Sequence, residues 1–407
     1  MAENAVEKFM FQALRLALKG EAWVAPNPRV GAVLVKNGKV IGQGWHQKFG
    51  GPHAEINALE DCRRRGHDPK GATLYVTLEP CCHRGKTPPC TKAIARAGIA
   101  AVEAATLDDF DRVAGRGAAW LRQHGIEVKV GLCQEEARRQ NFGFFKLQKT
   151  ATPQVILKWA QSLDGRLAWP KLKPEKPAKK TKPGVTPPIK IYHPREELPP
   201  RTPGGYITGA AVRKHVHLLR AQCGAVLAGM GTVLADDPML NVRLPGRHFQ
   251  PIRVILDSHL RLPLDTKLVQ TAEKFPTLVY TTHQTMIHQT RRVDNLTATG
   301  VEVIGLAEQN GRLHLGAVCA ELGSRGITDI LVEGGPTLLS EFLRQDLGDK
   351  VMIYQAPLLI GGAAPSLSFS DPVAQLHGLT RTVLDDDLLI EGYIHPVPPE
   401  PKDEDDD

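Results

Sequence analysis

The residue types best suited to chemistry lie at His53-Ala54-Glu55 and, after a gap, in Glu79-Pro80-Cys81-Cys82-His83-Arg84-Gly85-Lys86-Thr87-Pro88-Pro89-Cys90. A neutral imidazole from His53 and thiolates from Cys81 and Cys90 suit zinc. Three protein ligands leave the fourth tetrahedral position to water, whereas a structural zinc normally recruits four. One zinc ion per chain is expected. At such a site zinc brings water close to hydroxide at neutral pH. Glu55, two residues after the histidine at a helix start, reaches the open side of the metal without ligating it. There it takes a proton from the water and delivers one to a leaving amine, which is hydrolytic deamination. Cys81 and Cys90 stand further apart than a Cys-x-x-Cys pair, so Cys82 and His83 remain rival ligands.

These side chains need a scaffold, and the chain supplies an alternating one. Residues 5–19 show helical spacing. Two strand-like runs, 30–35 and 40–44, flank Asn37-Gly38, a two-residue hairpin signal. A helix from His53 to Arg65, strands at 72–78, 99–106 and 126–130, and helices at 91–97 and 117–124 complete a first unit. A second begins near Pro153, with strands at 155–159, 225–229, 252–256, 277–281, 329–333 and 350–355. Its helices fall at 210–222, 315–323 and 337–345. Strand and helix alternating at this interval imply mainly parallel sheets covered by helices. The metal motif then falls at strand ends, where α/β sites form. No internal repeat is visible.

Composition bounds the remaining possibilities. A chain of 407 residues exceeds one ordinary core and predicts two domains. We place them at 1–149 and 150–396, followed by a disordered acidic tail at 397–407. Residues 169–205 hold ten prolines and seven lysines, too little apolar surface to order themselves, and read as an extended insertion. This segment carries much of the net charge of +7. With aromatic residues only 5% of the chain, no basic stripe with interleaved rings points to nucleic acid. No apolar run approaches the roughly 18 residues of a membrane span, and the N-terminus reads as an amphipathic helix, not a signal peptide. Seven cysteines, an odd number, fit reduced thiols and metal better than a disulfide framework. A cytoplasmic protein, free to form homo-oligomers, is the expectation.

Taken together, several segments resemble the RibD family, the bifunctional deaminase and reductase of riboflavin biosynthesis. They are 25–31 (Ala-Pro-Asn-Pro-Arg-Val-Gly), the His53 and cysteine motifs, 162–166 (Ser-Leu-Asp-Gly-Arg), 234–238 (Leu-Ala-Asp-Asp-Pro) and 332–337 (Val-Glu-Gly-Gly-Pro-Thr). The resemblance covers nearly the whole chain. It implies an N-terminal cytidine-deaminase-like αβα domain and a C-terminal α/β domain like dihydrofolate reductase. The first would deaminate diaminohydroxyphosphoribosylaminopyrimidine. The second would reduce the ribosyl side chain of 5-amino-6-(5-phosphoribosylamino)uracil to ribityl with NADPH. Asn27, His46 and Lys86 match the family's deaminase substrate site, where His46 and Lys86 are read as cations near a phosphate.

In the second domain the resemblance places Lys158 and Asp236 at the reducing centre, where the two can pair; either could supply the proton. It assigns substrate contacts to Gly204, Arg220, Leu240, Arg243 and Glu333, with Arg220 and Arg243 as a forked phosphate clamp. Ala160, Tyr206, Thr232, Asp236, Gly335, Pro336 and Thr337 fall at cofactor positions. Gly334-Gly335-Pro336 after a strand would offer helix N–H groups to phosphate. Three departures stand out: Tyr206 where Trp is common, Gly204 where Ser is usual, and Asp108-Asp109-Phe110-Asp111 in place of Asp-Pro-Asn-Pro. The competing reading is a zinc nucleoside or nucleic-acid deaminase whose C-terminal half is a non-catalytic module. It predicts deamination without NADPH consumption.

Overall fold

The computed structural model describes residues 6–83, 88–109, 115–169, 206–362, 364–367 and 375–396. The expectations for Lys86, Gly204, most of the insertion, Phe110-Asp111 and the acidic tail fall outside them.

Helix α1 (Glu7–Ala17) forms because Met10, Ala13, Leu14 and Ala17 recur on one face and are buried together. A 3₁₀ segment, Leu18–Val24, follows. Strands β1 (Gly31–Lys36) and β2 (Lys39–Trp45) close around Asn37 and Gly38, whose φ values of 51° and 71° fit the mirror-image turn that Asn-Gly favours. Then come α2 (Ala54–Arg64), β3 (Thr73–Val76), α3 (Cys90–Arg96), β4 (Ala101–Ala104), α4 (Arg116–Gln123) and β5 (Glu127–Val130). The sheet order is β2-β1-β3-β4-β5, parallel from β3 to β5 and antiparallel at the hairpin. Side chains alternate across β1: Val33 and Val35 meet α1, while Ala32 and Leu34 pack with Ala58, Leu59 and Ile94 from α2 and α3. Helix α2 lies close on β2 because Gly44 has no side chain; a Cβ there would stand 2.4 Å from the backbone nitrogen of Ala58. That contact fixes the start of α2, and with it His53 and Glu55.

Helices α5 (Gln134–Gln140) and α6 (Phe142–Thr150) lead into the second sheet. Its elements begin β6 (Gln154–Gln161), α7 (Ala210–Gln222), β7 (Ala225–Gly229), α8 (Met230–Asp236), β8 (Ile252–Leu256), β9 (Thr277–Thr282) and β10 (Glu302–Leu306). A small hairpin, β11 (Glu308–Gln309) with β12 (Arg312–Leu313), precedes β13 (Asp329–Val332), β14 (Lys350–Gln355), β15 (His377–Leu384) and β16 (Asp387–Tyr393). The order is β10-β9-β8-β7-β13-β6-β14-β16-β15. It is parallel from β10 to β14, and both of its faces are covered, by Val226, Ile255 and Val279 on one and Leu227, Val254 and Leu278 on the other. Near-continuous apolar strands follow from burial on both faces.

The mainly parallel sheets expected from the sequence are found, each with its antiparallel strands gathered at one edge. Strands β15 and β16 add an antiparallel edge, and β10 extends the opposite side. Polar His377, Thr380, Arg381 and Thr382 make β15 mostly exposed, so no apolar alternation marked it. Among the described residues no helix is long and apolar enough to cross a membrane.

Two candidate active sites

The three candidate metal ligands are gathered by three separate elements. His53 is the extended residue that caps the N-terminus of α2, Cys81 follows β3, and Cys90 opens α3. His53 Nδ1 lies 3.6 Å from Cys81 Sγ and 3.3 Å from Cys90 Sγ, and all three ligand atoms fall within 4.8 Å of one another. Bonds of about 2.0 Å to nitrogen and 2.3 Å to sulfur in a tetrahedron require a nitrogen to sulfur separation of about 3.6 Å. The donor set therefore fits zinc in both type and spacing. Cys82 and exposed His83, the rival ligands, lie outside this cluster.

Electrostatics favour the same use. A hydrogen bond from the Cys90 thiol, joined by one to His53, brings Cys81 down to about 4, while the shared proton keeps Cys90 well above the ordinary thiol range. His53 is raised, chiefly by its bond to Cys81. One thiolate thus forms readily, and a cation displaces the remaining protons. Glu55, in the first turn of α2, is only 3% exposed. Burial, reinforced by the Cys81 charge, raises its carboxyl.

His46 is not the cation expected from the sequence. It is 3% exposed, and burial lowers its pKa. Its Nδ1 lies 3.0 Å from the Pro52 carbonyl, which can only accept, so that nitrogen carries the proton. Its Nε2, 3.3 Å from Asn27 Nδ2, then accepts from the Asn27 amide. The Asn27 oxygen is thereby turned away from His46 as an acceptor. His46 also meets His53 edge to face, with ring centres 5.5 Å apart.

Two residues to which motif reading gave no role brace the surroundings of this cluster. Buried Glu79 accepts hydrogen bonds from the backbone nitrogens of Gly115 at 2.9 Å, Ala118 at 3.0 Å and Asp108 at 3.3 Å. It ties the residue two before Cys81 to the N-terminus of α4, where a carboxylate also suits the helix dipole. Asp109, within the segment that departs from the family pattern, forms a forked pair with Arg138 of α5 at 2.8 and 2.9 Å.

The second cluster is centred on Glu333. Val332 of β13 pairs with Leu157 of β6, so the next residues, Glu333 and Lys158, come side by side. Lys158 Nζ is 3.3 Å from Glu333 Oε2. Arg220 of α7 grips the same carboxylate through Nε at 2.6 Å and Nη2 at 3.0 Å, and donates from Nη1 to the Asn241 carbonyl at 2.9 Å. Burial would raise the Glu333 carboxyl, but Arg220 and Lys158 outweigh it and hold it at about 2.

Three expectations change as a result. Asp236 sits exposed at the end of α8 and, among the described residues, forms no ion pair; Lys158 pairs with Glu333 instead. The Arg220 fork, expected on a phosphate, is engaged here by Glu333 and the Asn241 carbonyl. Leu240, at φ 48°, buries its side chain in the core and leaves its backbone for any ligand. Arg243 remains exposed, steadied by Asn241 Oδ1 at 2.8 Å. Beside it, His217 is lowered to about 4 by burial and by the positive charges of Arg220 and Arg243.

The candidate cofactor residues divide by element. Gly335 caps the helix Pro336–Arg344 after β13, and the Thr232 hydroxyl of α8 lies 3.9 Å from where a Gly335 side chain would begin. Thr337 stands exposed in the first turn of that helix. Open space at Gly231 and Gly335, beside a helix N-terminus, fits a phosphate-bearing cofactor. Ala160 lies further along β6. Tyr206 is 51% exposed, with the Arg213 guanidinium 5.1 Å from its ring centre. Asp164 serves the architecture: it accepts from the backbone nitrogens of Ile360 at 3.0 Å and Gly361 at 2.7 Å, closing the loop after β6.

Comparison with known proteins follows the same division. Residues 3–106 match the cytidine and deoxycytidylate deaminase zinc-binding region, and residues 153–386 match the RibD C-terminal domain. The riboflavin biosynthesis protein RibD of Aquifex aeolicus (strain VF5) is 41% identical over 361 residues, covering 89% of each chain. That of Escherichia coli (strain K12) is 37% identical over 373 residues, covering 89% of this chain and 90% of its own. Among solved structures, the diaminohydroxyphosphoribosylaminopyrimidine deaminase/5-amino-6-(5-phosphoribosylamino)uracil reductase of Thermotoga maritima superposes with a TM-score of 0.74 at 34% identity. The match covers 96% of this chain and 98% of that one. Acinetobacter baumannii RibD gives 0.72 at 35%, with the same coverage.

Proposed function

The chain belongs to the RibD family, the bifunctional deaminases and reductases of riboflavin biosynthesis, and from that premise we propose how its own residues divide the two reactions. The first unit, 1–149, deaminates diaminohydroxyphosphoribosylaminopyrimidine. The second, 150–396, reduces the ribosyl group of 5-amino-6-(5-phosphoribosylamino)uracil, with NADPH as the nicotinamide cofactor. Both substrates are small phosphorylated pyrimidines, and the setting is the cytoplasm.

His53, Cys81 and Cys90 hold the zinc ion, which supplies a Lewis acid able to bring the pKa of a water to about 7. Glu55 takes the proton released as water attacks the substrate carbon and returns a proton to the departing amine. Its raised pKa suits both steps, because a proton carrier works best near the operating pH. Asn27, oriented by neutral His46, offers its oxygen to a donor on the substrate. Lys86 holds the phosphate.

In the reductase unit, Thr232, Gly335, Pro336 and Thr337 hold the cofactor phosphates, with Ala160, Tyr206 and Asp236 at its edges. Bound there, NADPH would be the source of hydride for the anomeric carbon. As the bond from that carbon to the ring oxygen breaks, Lys158 gives the oxygen a proton. Glu333 and Arg220 fix Lys158 in place, and Arg243, with Gly204 and the Leu240 backbone, contacts the substrate.

The observation that carries this reading is the meeting of one imidazole, two thiols and a buried carboxyl at strand and helix ends of the first sheet. Its test supplies the diamino substrate with and without NADPH, following ammonia release and nicotinamide absorbance separately. Ammonia is expected in both samples and NADPH oxidation only after deamination. Ammonia without any oxidation would contradict the reductase assignment, and zinc-loaded protein that releases none would contradict the substrate.

A further inference from the structure

Residues 20–27 of the first unit lie against His46 and end on Asn27, yet a side chain within this segment, Glu21, is gripped by the second unit. Glu21 Oε1 is 2.6 Å from His248 Nδ1, and Glu21 Oε2 accepts from the Phe249 backbone nitrogen at 2.7 Å. His248 Nε2 lies 3.1 Å from the Pro245 carbonyl. A carboxylate and a carbonyl can only accept, so both ring nitrogens carry protons and His248 is an imidazolium. The bond to Glu21 accordingly holds its pKa above the ordinary histidine value. Both hydrogen bonds to the Glu21 carboxylate are charge-assisted. Beside them, the Trp23 and Phe249 rings meet edge to face with centres 5.3 Å apart, and the Arg247 guanidinium stands 5.1 Å from the Trp23 ring centre. Glu21 has a φ of 47°, a conformation that a residue with a side chain keeps only where its surroundings hold it.

Each half of this contact is braced within its own unit. Gln250 accepts from the Val242 nitrogen at 3.0 Å and donates to the Val242 carbonyl at 3.1 Å, closing loop 242–250. On the other side, a Cβ at Gly20 would stand 2.8 Å from the His46 carbonyl oxygen, so the backbone around Glu21 abuts the residue that orients Asn27. The Trp23 carbonyl accepts from Phe49 N at 2.9 Å, and the Val24 carbonyl accepts from Asn27 N at 2.9 Å. The candidate zinc ligands and Glu55 stand on other elements: α2, the end of β3 and the start of α3.

We propose that Glu21 is a positioning residue of the deaminase site, and that loop 242–250 of the second unit, by gripping it, sets the placement of Asn27 and His46. The second unit thereby helps to build the first unit's substrate site without touching substrate. This rests on the reading of Asn27 as a substrate contact. Because the metal cluster and Glu55 are held elsewhere, loosening the grip weakens substrate binding more than the chemical step.

Ammonia release by the zinc-loaded full chain is measured against substrate concentration for wild type, Glu21→Ala, Glu21→Gln, His248→Leu and Asn27→Ala. Zinc content and near-UV circular dichroism check folding. Glu21→Ala should raise the deaminase KM about tenfold, the loss expected for a hydrogen bond to a charged group, with kcat within about twofold. His248→Leu, although on the second unit, should raise the same KM, and Glu21→Gln, which keeps an acceptor for Phe249, should raise it less than Glu21→Ala. Combining Glu21→Ala with His248→Leu should add nothing beyond Glu21→Ala, because both remove one interaction. If Glu21→Ala fails to fold, Glu21→Gln and His248→Leu decide. An unchanged KM in the Glu21 and His248 variants, with a raised one in Asn27→Ala, would overturn the positioning role and leave the substrate contact standing. An unchanged KM in every variant would overturn both. A rise in Glu21→Ala with none in Asn27→Ala, or one accompanied by loss of zinc, would also overturn the proposal.

Discussion

Glu55 and His46 owe their properties to burial, which acts on them in opposite ways. Removing a carboxyl from water favours its protonated form, and removing an imidazole favours its neutral form. Glu55 therefore becomes a better proton carrier, while His46 becomes an acceptor that fixes Asn27. Replacing Glu55 by Gln should cut ammonia release by about 10²-fold or more while metal analysis still finds one zinc per chain. Loss of zinc would mean that Glu55 is a ligand. His46 should titrate below the usual histidine range, so its NMR shifts should stay those of the Nδ1–H tautomer at neutral pH. An imidazolium spectrum there would restore the phosphate-contact reading. At this scale the grouping of His53, Cys81 and Cys90 was legible in the sequence, because metal chemistry limits the types and spacing of donors. The His46 tautomer was not, since it depends on the Pro52 carbonyl and on enclosure by other segments.

Among the elements, helix starts do much of the positioning. Glu79 accepts three backbone N–H groups, one of them fully buried, so Glu79→Ala should cost about 1–3 kcal/mol by urea unfolding. Zinc affinity should fall with it, because Cys81 is two residues away. The Glu333 cluster gives a pH signature. Its carboxyl is depressed in the folded state, so its stabilisation is complete above the ordinary glutamate value of about 4.3 and is lost as pH falls through about 2. The stability difference between wild type and Glu333→Gln should therefore shrink between about pH 4 and pH 2. A constant difference would show that the carboxylate charge is not the stabilising feature. The central strands were legible as apolar runs, and the Asn37-Gly38 hairpin from its turn. Strand β15 was not, because its polar, exposed side chains remove that pattern.

Across the whole molecule, contacts between residues far apart in the chain join the two units. Glu21 accepts from Phe249 N at 2.7 Å and pairs with His248 at 2.6 Å, and Trp23 meets the Phe249 ring edge-on. Arg29 reaches Asp329. These pairings were illegible in the sequence, since no local pattern links residues more than two hundred positions apart. Exchanging Arg29 for Met and Glu21 for Ala together should split unfolding into two calorimetric transitions; one unchanged transition would show that other contacts suffice. The central claim, that one chain carries two independent chemistries, is tested most directly by crossing two variants with two substrates. Glu55→Gln should fail on the diamino substrate yet oxidise NADPH when given the deaminated one. Lys158→Met should release ammonia from the first yet leave NADPH unoxidised with the second. Loss of both activities in either well-folded variant would contradict separate sites.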